Sequence, residues 1–304
     1  MRTLGIIDIG SNSIKLLVVK INNDKTYEGV YNKKFQTRLT DYMSEDKDEL
    51  SVVGIKNFFG IISTFKVICT QFNCDEVIAV GTESLRKLKN TNQLITDIEA
   101  SLNINIKVLS PDEECYYGYL SSIPSNLDNY LHLDVGGGSV EIALIKDKVL
   151  VKCISIPMGA LSITYQFNLT DKTTNKEKDV RSYIIQQLDN VSWLSKCKNL
   201  PIIVIGGSVK TIGRIHKMEY NTDKNIHGYE LYNKSIENLL NEINKMTVEE
   251  ILSSTGVSKT RGDILLGALL IINTILNYLE SSSLYISKYT IRDGILAEYI
   301  NNLK

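Results

Sequence analysis

Residues 132–145 read HLDVGGGSVEIALI and place Asp134 just ahead of the only triple glycine in the chain, Gly136, Gly137 and Gly138, with Ser139 after it. An apolar run leads into the turn and an alternating apolar run leads out, so two strands flank it. Glycine has no Cβ; it admits positive φ and lets a ligand approach the backbone. Successive N–H groups in such a turn form an anion-binding concavity. An aspartate at the strand end offers oxygens to a hard cation. The same residues suit a plain hairpin turn, where Gly-Gly is common, and this stretch alone leaves both readings open.

Other stretches carry comparable chemistry. Asp8 leads into Gly10, Ser11, Asn12 and Ser13. Gly206, Gly207 and Ser208 follow the apolar run 201–205, at a strand-to-helix junction whose helix N-terminus favours anions. Asp112, Glu113 and Glu114 follow Pro111, which reads as the first turn of a helix with acids complementing its dipole.

The elements that must position these residues are legible from periodicity. Residues 4–9 and 14–20 form a hairpin, and a third strand falls within 26–39. A helix spans 49–72, with Ser51 as its N-cap. Strand 76–82, one or two helices over 83–103, strand 104–110 and the helix opened by Pro111 complete the first half. In the second half strands lie at 132–135, 139–145 and 148–157, helices at 160–167 and 175–194, a strand at 201–207 and a helix from 208. Helices 234–245, 247–253 and 259–280, a strand at 283–290 and a helix at 291–304 close the chain. Both halves open on one scheme: apolar strand, Asp, one residue, Gly, small polar turn, apolar strand. That is the pattern of two duplicated α/β domains facing each other across a cleft.

Composition sets limits. The 304 residues suffice for about two domains. A net charge of −1 gives no sign of a nucleic-acid binder, so local groups must supply positive potential for any anion. Cys69, Cys74, Cys115, Cys153 and Cys197 are odd in number and scattered, which argues against a disulfide framework or a zinc site and suits a cytoplasmic location. The N-terminus is a poor signal peptide, and the apolar run 264–276 is too short to span a bilayer and reads as a buried helix, so no membrane partner is expected.

The ordered set of Asp-Ile-Gly-Ser-Asn-Ser at 8–13, VGTESLRKLKN at 80–90, SPDEECYYGYLS at 110–121, Asp-Val-Gly-Gly-Gly-Ser at 134–139, SIPMGAL at 155–161, Gly-Gly-Ser at 206–208, RGDILLGALLI at 261–271 and IRDGIL at 291–296 resembles the actin-like ATPase superfamily. Within it, the chain resembles the exopolyphosphatase/guanosine pentaphosphate phosphohydrolase (Ppx/GppA) family, in its short form without the added helical domain of the HD type. The resemblance implies an α/β fold of two ribonuclease-H-like domains with mixed five-stranded sheets and flanking helices, and an active site in the interdomain cleft. The domains would be 1–122 and 123–304, the second with a helical insertion, and the final helix 291–304 would pack on the first. It further implies a homodimer, a (p)ppGpp inhibitor, and hydrolysis of a terminal phosphoanhydride bond of polyphosphate, or alternatively of guanosine pentaphosphate. A non-catalytic alarmone-binding protein and a kinase are the remaining alternatives.

The residues that would carry the reaction follow from the same resemblance. Glu114 matches the catalytic base, although Pro111 and Cys115 stand where the family has Gly and Ala. Gly10, Ser11, Asn12, Ser13, Gly136, Gly137, Gly138, Ser139, Gly206, Gly207 and Ser208 would cradle phosphate. Asp134, with Asp8 as its counterpart, would hold Mg²⁺ or another divalent cation. Glu141 would share water or metal positioning, or else lie on a solvated face. Arg86 would neutralise charge or fix the Glu114 loop, and Asn90 would contact phosphate or cap the loop. Arg38 matches a position lining the cleft. Lys210 and Arg214 follow the third glycine loop at helical spacing, as polyanion contacts or plain surface charges. Ser162 stands where the family usually has Arg, which would remove one anion contact. His132 reads as structural, and His216 and His227 lack metal-ligand spacing.

Overall fold

The computed structural model describes the whole chain except residues 45, 47, 123–125, 172, 174, 259 and 304. Residues 123, 259 and 304, at which the sequence reading sets a domain or helix limit, lie outside the described residues. The chain divides into two compact units, Met1–Tyr117 with Ile291–Lys304, and Gly118–Thr290.

In the first unit β1 (Arg2–Ile9) pairs antiparallel with β2 (Ile14–Ile21), which pairs with β3 (Tyr27–Phe35). After α1 (Val52–Gln71), β4 (Glu76–Gly81) lies parallel to β1; α2 (Glu83–Arg86) and α3 (Thr91–Leu102) precede β5 (Ile106–Val108), and α4 (Pro111–Ser122) follows, its residues from Gly118 on belonging to the second unit. The sheet order is β3-β2-β1-β4-β5. β1 is buried on both faces, which explains its unbroken apolar run up to Asp8. Ser51 caps α1 by accepting from Gly54 N at 3.2 Å. Among the described residues α1 is the one helix long and apolar enough to cross a membrane by length and composition; here Phe58, Ile61, Ile62, Phe65 and Cys69 put one of its faces into the core of the unit.

The second unit repeats the plan. β6 (Tyr130–Val135) pairs antiparallel with β7 (Val140–Lys146), and β7 with β8 (Val149–Ile156). α5 (Ala160–Gln166) and α6 (Glu177–Asp189) lead to β9 (Ile202–Ile205), parallel to β6, and then to α7 (Gly207–Glu219). β10 (Tyr229–Tyr232), α8 (Asn233–Ile243), α9 (Val248–Ser253) and α10 (Leu265–Tyr278) precede β11 (Ser283–Ile286), which lies parallel to β9. The sheet order is β10-β11-β9-β6-β7-β8. Strands β11-β9-β6-β7-β8 match β5-β4-β1-β2-β3, so the Asp-x-Gly repeat is a repeat of topology as well. The expected five strands are exceeded by one: β10 adds antiparallel to the edge of β11. It is four residues long, too short a run for its alternation to announce it.

Every residue of α10 from Leu265 to Leu276 is buried, as the 264–276 run predicted, but the helix starts at Leu265 rather than at 259. Gly267 sits where a Cβ would come within 2.8 Å of the Ala160 carbonyl, so α5 and α10 cross with no room for a side chain. The last helix, α11 (Ile291–Asn302), belongs to the first unit. Its Ile291, Ile295 and Leu296 cover Leu4 and Ile6 of β1, Val19 and Ile21 of β2 and Val80 of β4.

Candidate active site

The two Asp-x-Gly turns are built alike. Gly10 N donates to Ser13 O at 3.2 Å, and Gly136 N donates to Ser139 O at 3.0 Å. Each turn closes the hairpin that starts at the C-terminal end of a central strand, and such strand ends are where open α/β sheets place ligands.

In the second unit the turn's backbone orientation is fixed by α5. Ala160 N donates to Gly136 O at 3.0 Å, Leu161 N and Ser162 N to Gly137 O at 2.8 and 3.1 Å, and Gly159 N to Gly138 O at 3.0 Å. The Ser162 hydroxyl adds a bond to Gly138 O at 3.1 Å. Among the described residues all peptide bonds are trans, so each N–H points opposite the preceding carbonyl. The N–H groups of Gly137, Gly138 and Ser139 therefore point together, away from α5. Three convergent donors of this kind make an anion nest. Ser162 thus locks the turn instead of contacting an anion. Gly159 is required for the approach, because a Cβ there would lie 2.3 Å from Gly137 O.

Asp134 and Glu141 are cross-strand partners in β6–β7, and Glu141 and Ser155 in β7–β8. Glu141 is 4% exposed, so it does not lie on a solvated face. Its Oε1 accepts from the hydroxyls of Ser139 and Ser155, both at 2.6 Å. Two carboxylates directly opposite repel one another, and an oxygen-only set of this kind fits a hard divalent cation with phosphate oxygens completing its shell. Among the described residues no group of three or more His, Cys, Asp or Glu is arranged to hold a metal.

The first unit's counterpart differs. Asp8 pairs with Lys15, whose Nζ lies 2.7 Å from Oδ2, so an ammonium already stands where a cation would neutralise Asp8. Ser11, Asn12 and Ser13 are buried. The Ser11 hydroxyl donates to Glu83 at 3.4 Å, and Asn12 Oδ1 accepts from Arg38 Nε at 2.9 Å. Asn12 Nδ2 is buried with no hydrogen-bond partner among the described residues, a donor left over for a ligand oxygen.

The acids at the start of α4 have separate jobs. Ser110 and Glu113 form a capping box: Glu113 N donates to Ser110 Oγ at 3.2 Å, and Ser110 N to Glu113 Oε2 at 2.8 Å. Lys107, 2.5 Å from Glu113, together with the Ser110 N–H, holds that carboxyl below the usual range. Pro111 fits the first helical position, where its missing N–H is not needed. Glu114 instead turns inward, 7% exposed, and forms an ion pair with Arg86. Arg86 Nη1 also donates to Leu109 O at 2.5 Å, tying α2 to the loop ahead of α4. Asn90 exchanges two bonds with Leu50, accepting from its N–H at 3.2 Å and donating to its C=O at 3.1 Å, as a loop-holding amide does.

The third turn lies beside the second. Gly206 has φ +133°, and a Cβ there would be 2.6 Å from Val135 O, at the end of β6. Its successors open α7. Arg261 was missed by residue-by-residue reading: its guanidinium rests on Gly207 where a Cβ would be, and its Nη1 donates to Ser208 Oγ at 3.3 Å. The signal was the Arg at the head of RGDILLGALLI. Lys210, read as a polyanion contact or a plain surface charge, donates to Lys288 O at 2.5 Å and bridges α7 to the segment after β11. His132 is wholly buried against Gly118, and burial pushes its imidazole down to about 3. His216 bonds Tyr229 at 2.8 Å.

Comparison with known proteins adds a lineage to this geometry. The model of the Ppx/GppA phosphatase family matches residues 17–303. The bifunctional 3-dehydroquinate synthase/phosphatase of Fusobacterium nucleatum is 27% identical over 97% of this chain, which spans only 46% of that protein. Exopolyphosphatase 1 of Mycobacterium tuberculosis is 20% identical over 98% of this chain and 88% of its own length. The crystal structure of an exopolyphosphatase from Cytophaga hutchinsonii superimposes with a TM-score of 0.90 at 22% identity, covering 100% of this chain and 99% of that one.

Proposed function

The chain belongs to the Ppx/GppA phosphatase family, and from that premise we propose that it is a Mg²⁺-dependent exopolyphosphatase releasing phosphate from the ends of inorganic polyphosphate. The observation that carries this reading is the nest of Gly137, Gly138 and Ser139 N–H groups beside Asp134 and Glu141. A terminal phosphoryl group carries negative charge over its oxygens, and its transfer to water depends on positioning and electrostatic stabilisation. Preorganised N–H donors supply both.

Glu114 orients the attacking water and accepts its proton, and Arg86 holds that carboxylate in place through the ion pair. Arg261 and the α7 N-terminus add positive potential at the third turn. Asp134 would hold Mg²⁺, with Glu141 steadied by two hydroxyls close by. Bound there, the cation would neutralise phosphate oxygens. Guanosine pentaphosphate ends in the same kind of phosphoanhydride and is the alternative substrate.

The test is phosphate release with Mg²⁺ from long-chain polyphosphate, guanosine pentaphosphate and ATP in parallel, using wild type and Glu114→Gln. Release from polyphosphate, abolished in the variant, is the expected result. Release from guanosine pentaphosphate alone would replace the substrate. No release from any, by folded protein, would overturn the hydrolase reading.

A further inference from the structure

Arg292, in the first turn of α11, is only 7% exposed, yet no carboxylate pairs with it among the described residues. Its Nη1 donates to the Asn32 amide oxygen at 3.3 Å, and its Nε is buried with no partner. A guanidinium stays charged at any physiological pH. Burying it without a counter-charge costs several kcal/mol in general, which is why buried charges are paired or bind an ion.

The strand residues around Arg292 follow from the pairing. α11 packs on the sheet face that displays Leu4, Ile6 and Leu17. Side chains alternate along a strand, so Asp8 on β1 and Lys15 on β2 point to this same face. Cross-strand pairing adds Lys34 opposite Lys15 and Asn32 opposite Leu17. Asp8 is matched by Lys15. Asp293 follows Arg292 but projects from the helix about 100° away. Asn32 and Lys34 are exposed on β3, the edge strand of the sheet.

We propose that Arg292 is the centre of an oxyanion site in the first unit, taking a tetrahedral phosphate group between the start of α11 and the β2–β3 edge. Asn32 positions the guanidinium, and the anion supplies the counter-charge that the described residues do not give Arg292. This goes beyond the hydrolase reading and stands on the first unit alone.

Crystals of the full chain soaked in tungstate, a phosphate analogue with a strong anomalous signal, would show tungsten at the Arg292 guanidinium. In solution, thermal stability would be followed against inorganic phosphate and tripolyphosphate for wild type, Arg292→Met and Arg292→Lys. In anion-free buffer Arg292→Met should melt no lower than wild type, since it removes an unpaired buried charge. Its midpoint for phosphate stabilisation should rise about tenfold, the loss expected for a charge-assisted bond, with partial recovery in Arg292→Lys. A raised KM for polyphosphate in Arg292→Met would assign the site to substrate, and an unchanged KM to free phosphate. Absence of tungsten at Arg292, or an unaltered phosphate response in Arg292→Met, would overturn the proposal without touching the hydrolase reading.

Discussion

Replacing Gly159 by Ala tests the origin of the anion nest. The added Cβ would lie 2.3 Å from Gly137 O, 2.4 Å from Gly137 C and 2.5 Å from Gly138 C. Favourable contacts to such atoms begin near ~3.5 Å, so α5 and the turn must part by roughly 1 Å. All neighbours are backbone, so no side chain can swing away to absorb the clash. A parting of that size breaks the backbone bonds from Gly159, Ala160, Leu161 and Ser162 to the turn, now at 2.8–3.1 Å. At about 1 kcal/mol per bond, partly recovered through water, the loss is about 2–4 kcal/mol. The turn's N–H groups would lose their shared direction, and a misplacement of that order slows an enzyme by about 10²-fold. Urea unfolding and steady-state phosphate release read the two effects. Gly60→Ala is the control: nothing lies within 4 Å of its Cβ on α1, so a helix-favouring gain of up to about 1 kcal/mol is expected. If Gly159→Ala matches wild type in both stability and phosphate release, the argument that α5 aims the turn is wrong.

Other expectations follow from the same geometry. Ser110→Ala should cost about 1 kcal/mol by removing one half of the capping box, read by denaturant unfolding. The depressed Glu113 carboxyl contributes stability above its unfolded pKa near ~4.3, lost as pH falls through its lower folded value; Glu113→Gln should flatten that part of the acid limb. His132 has the opposite history: its folded pKa of about 3 lies below the unfolded value, so the unfolded chain binds the extra proton. Stability should therefore fall by up to about 1.4 kcal/mol per pH unit below pH ~6.5 on its account, and His132→Leu should remove that slope in pH-dependent unfolding curves. Chelation of divalent cations should abolish phosphate release, and restoring Mg²⁺ should recover it in wild type more readily than in Ser155→Ala, which frees one side of Glu141.

What could be read in advance was local in the chain. Asp8 to Ser13 and Asp134 to Ser139 announce their turns because strand, acid and glycine are contiguous. The Ser110-x-x-Glu113 spacing also contains its capping box, although dipole complementarity alone was read from it. What escaped was set by pairing between distant segments. Lys15 meets Asp8 only through the β1–β2 register. Arg261 reaches Gly207 from 54 positions further along the chain. Arg292 reaches Asn32 across 260 positions. No periodicity encodes such contacts. β10 escaped because four residues at a sheet edge carry too short a pattern.

The discontinuity of the first unit also bears on how the protein is made. Leu4, Ile6, Val19 and Ile21 emerge from the ribosome before the second unit, but the residues that cover them, Ile291, Ile295 and Leu296, emerge after it. Translation proceeds at about 5–20 residues per second, so the intervening 118–290 segment keeps that face bare for roughly ten seconds or more. The second unit is continuous and can finish folding in that interval. A nascent chain stalled before residue 291 should therefore present a sticky, half-clad sheet to chaperones, and emergence of α11 should end that engagement.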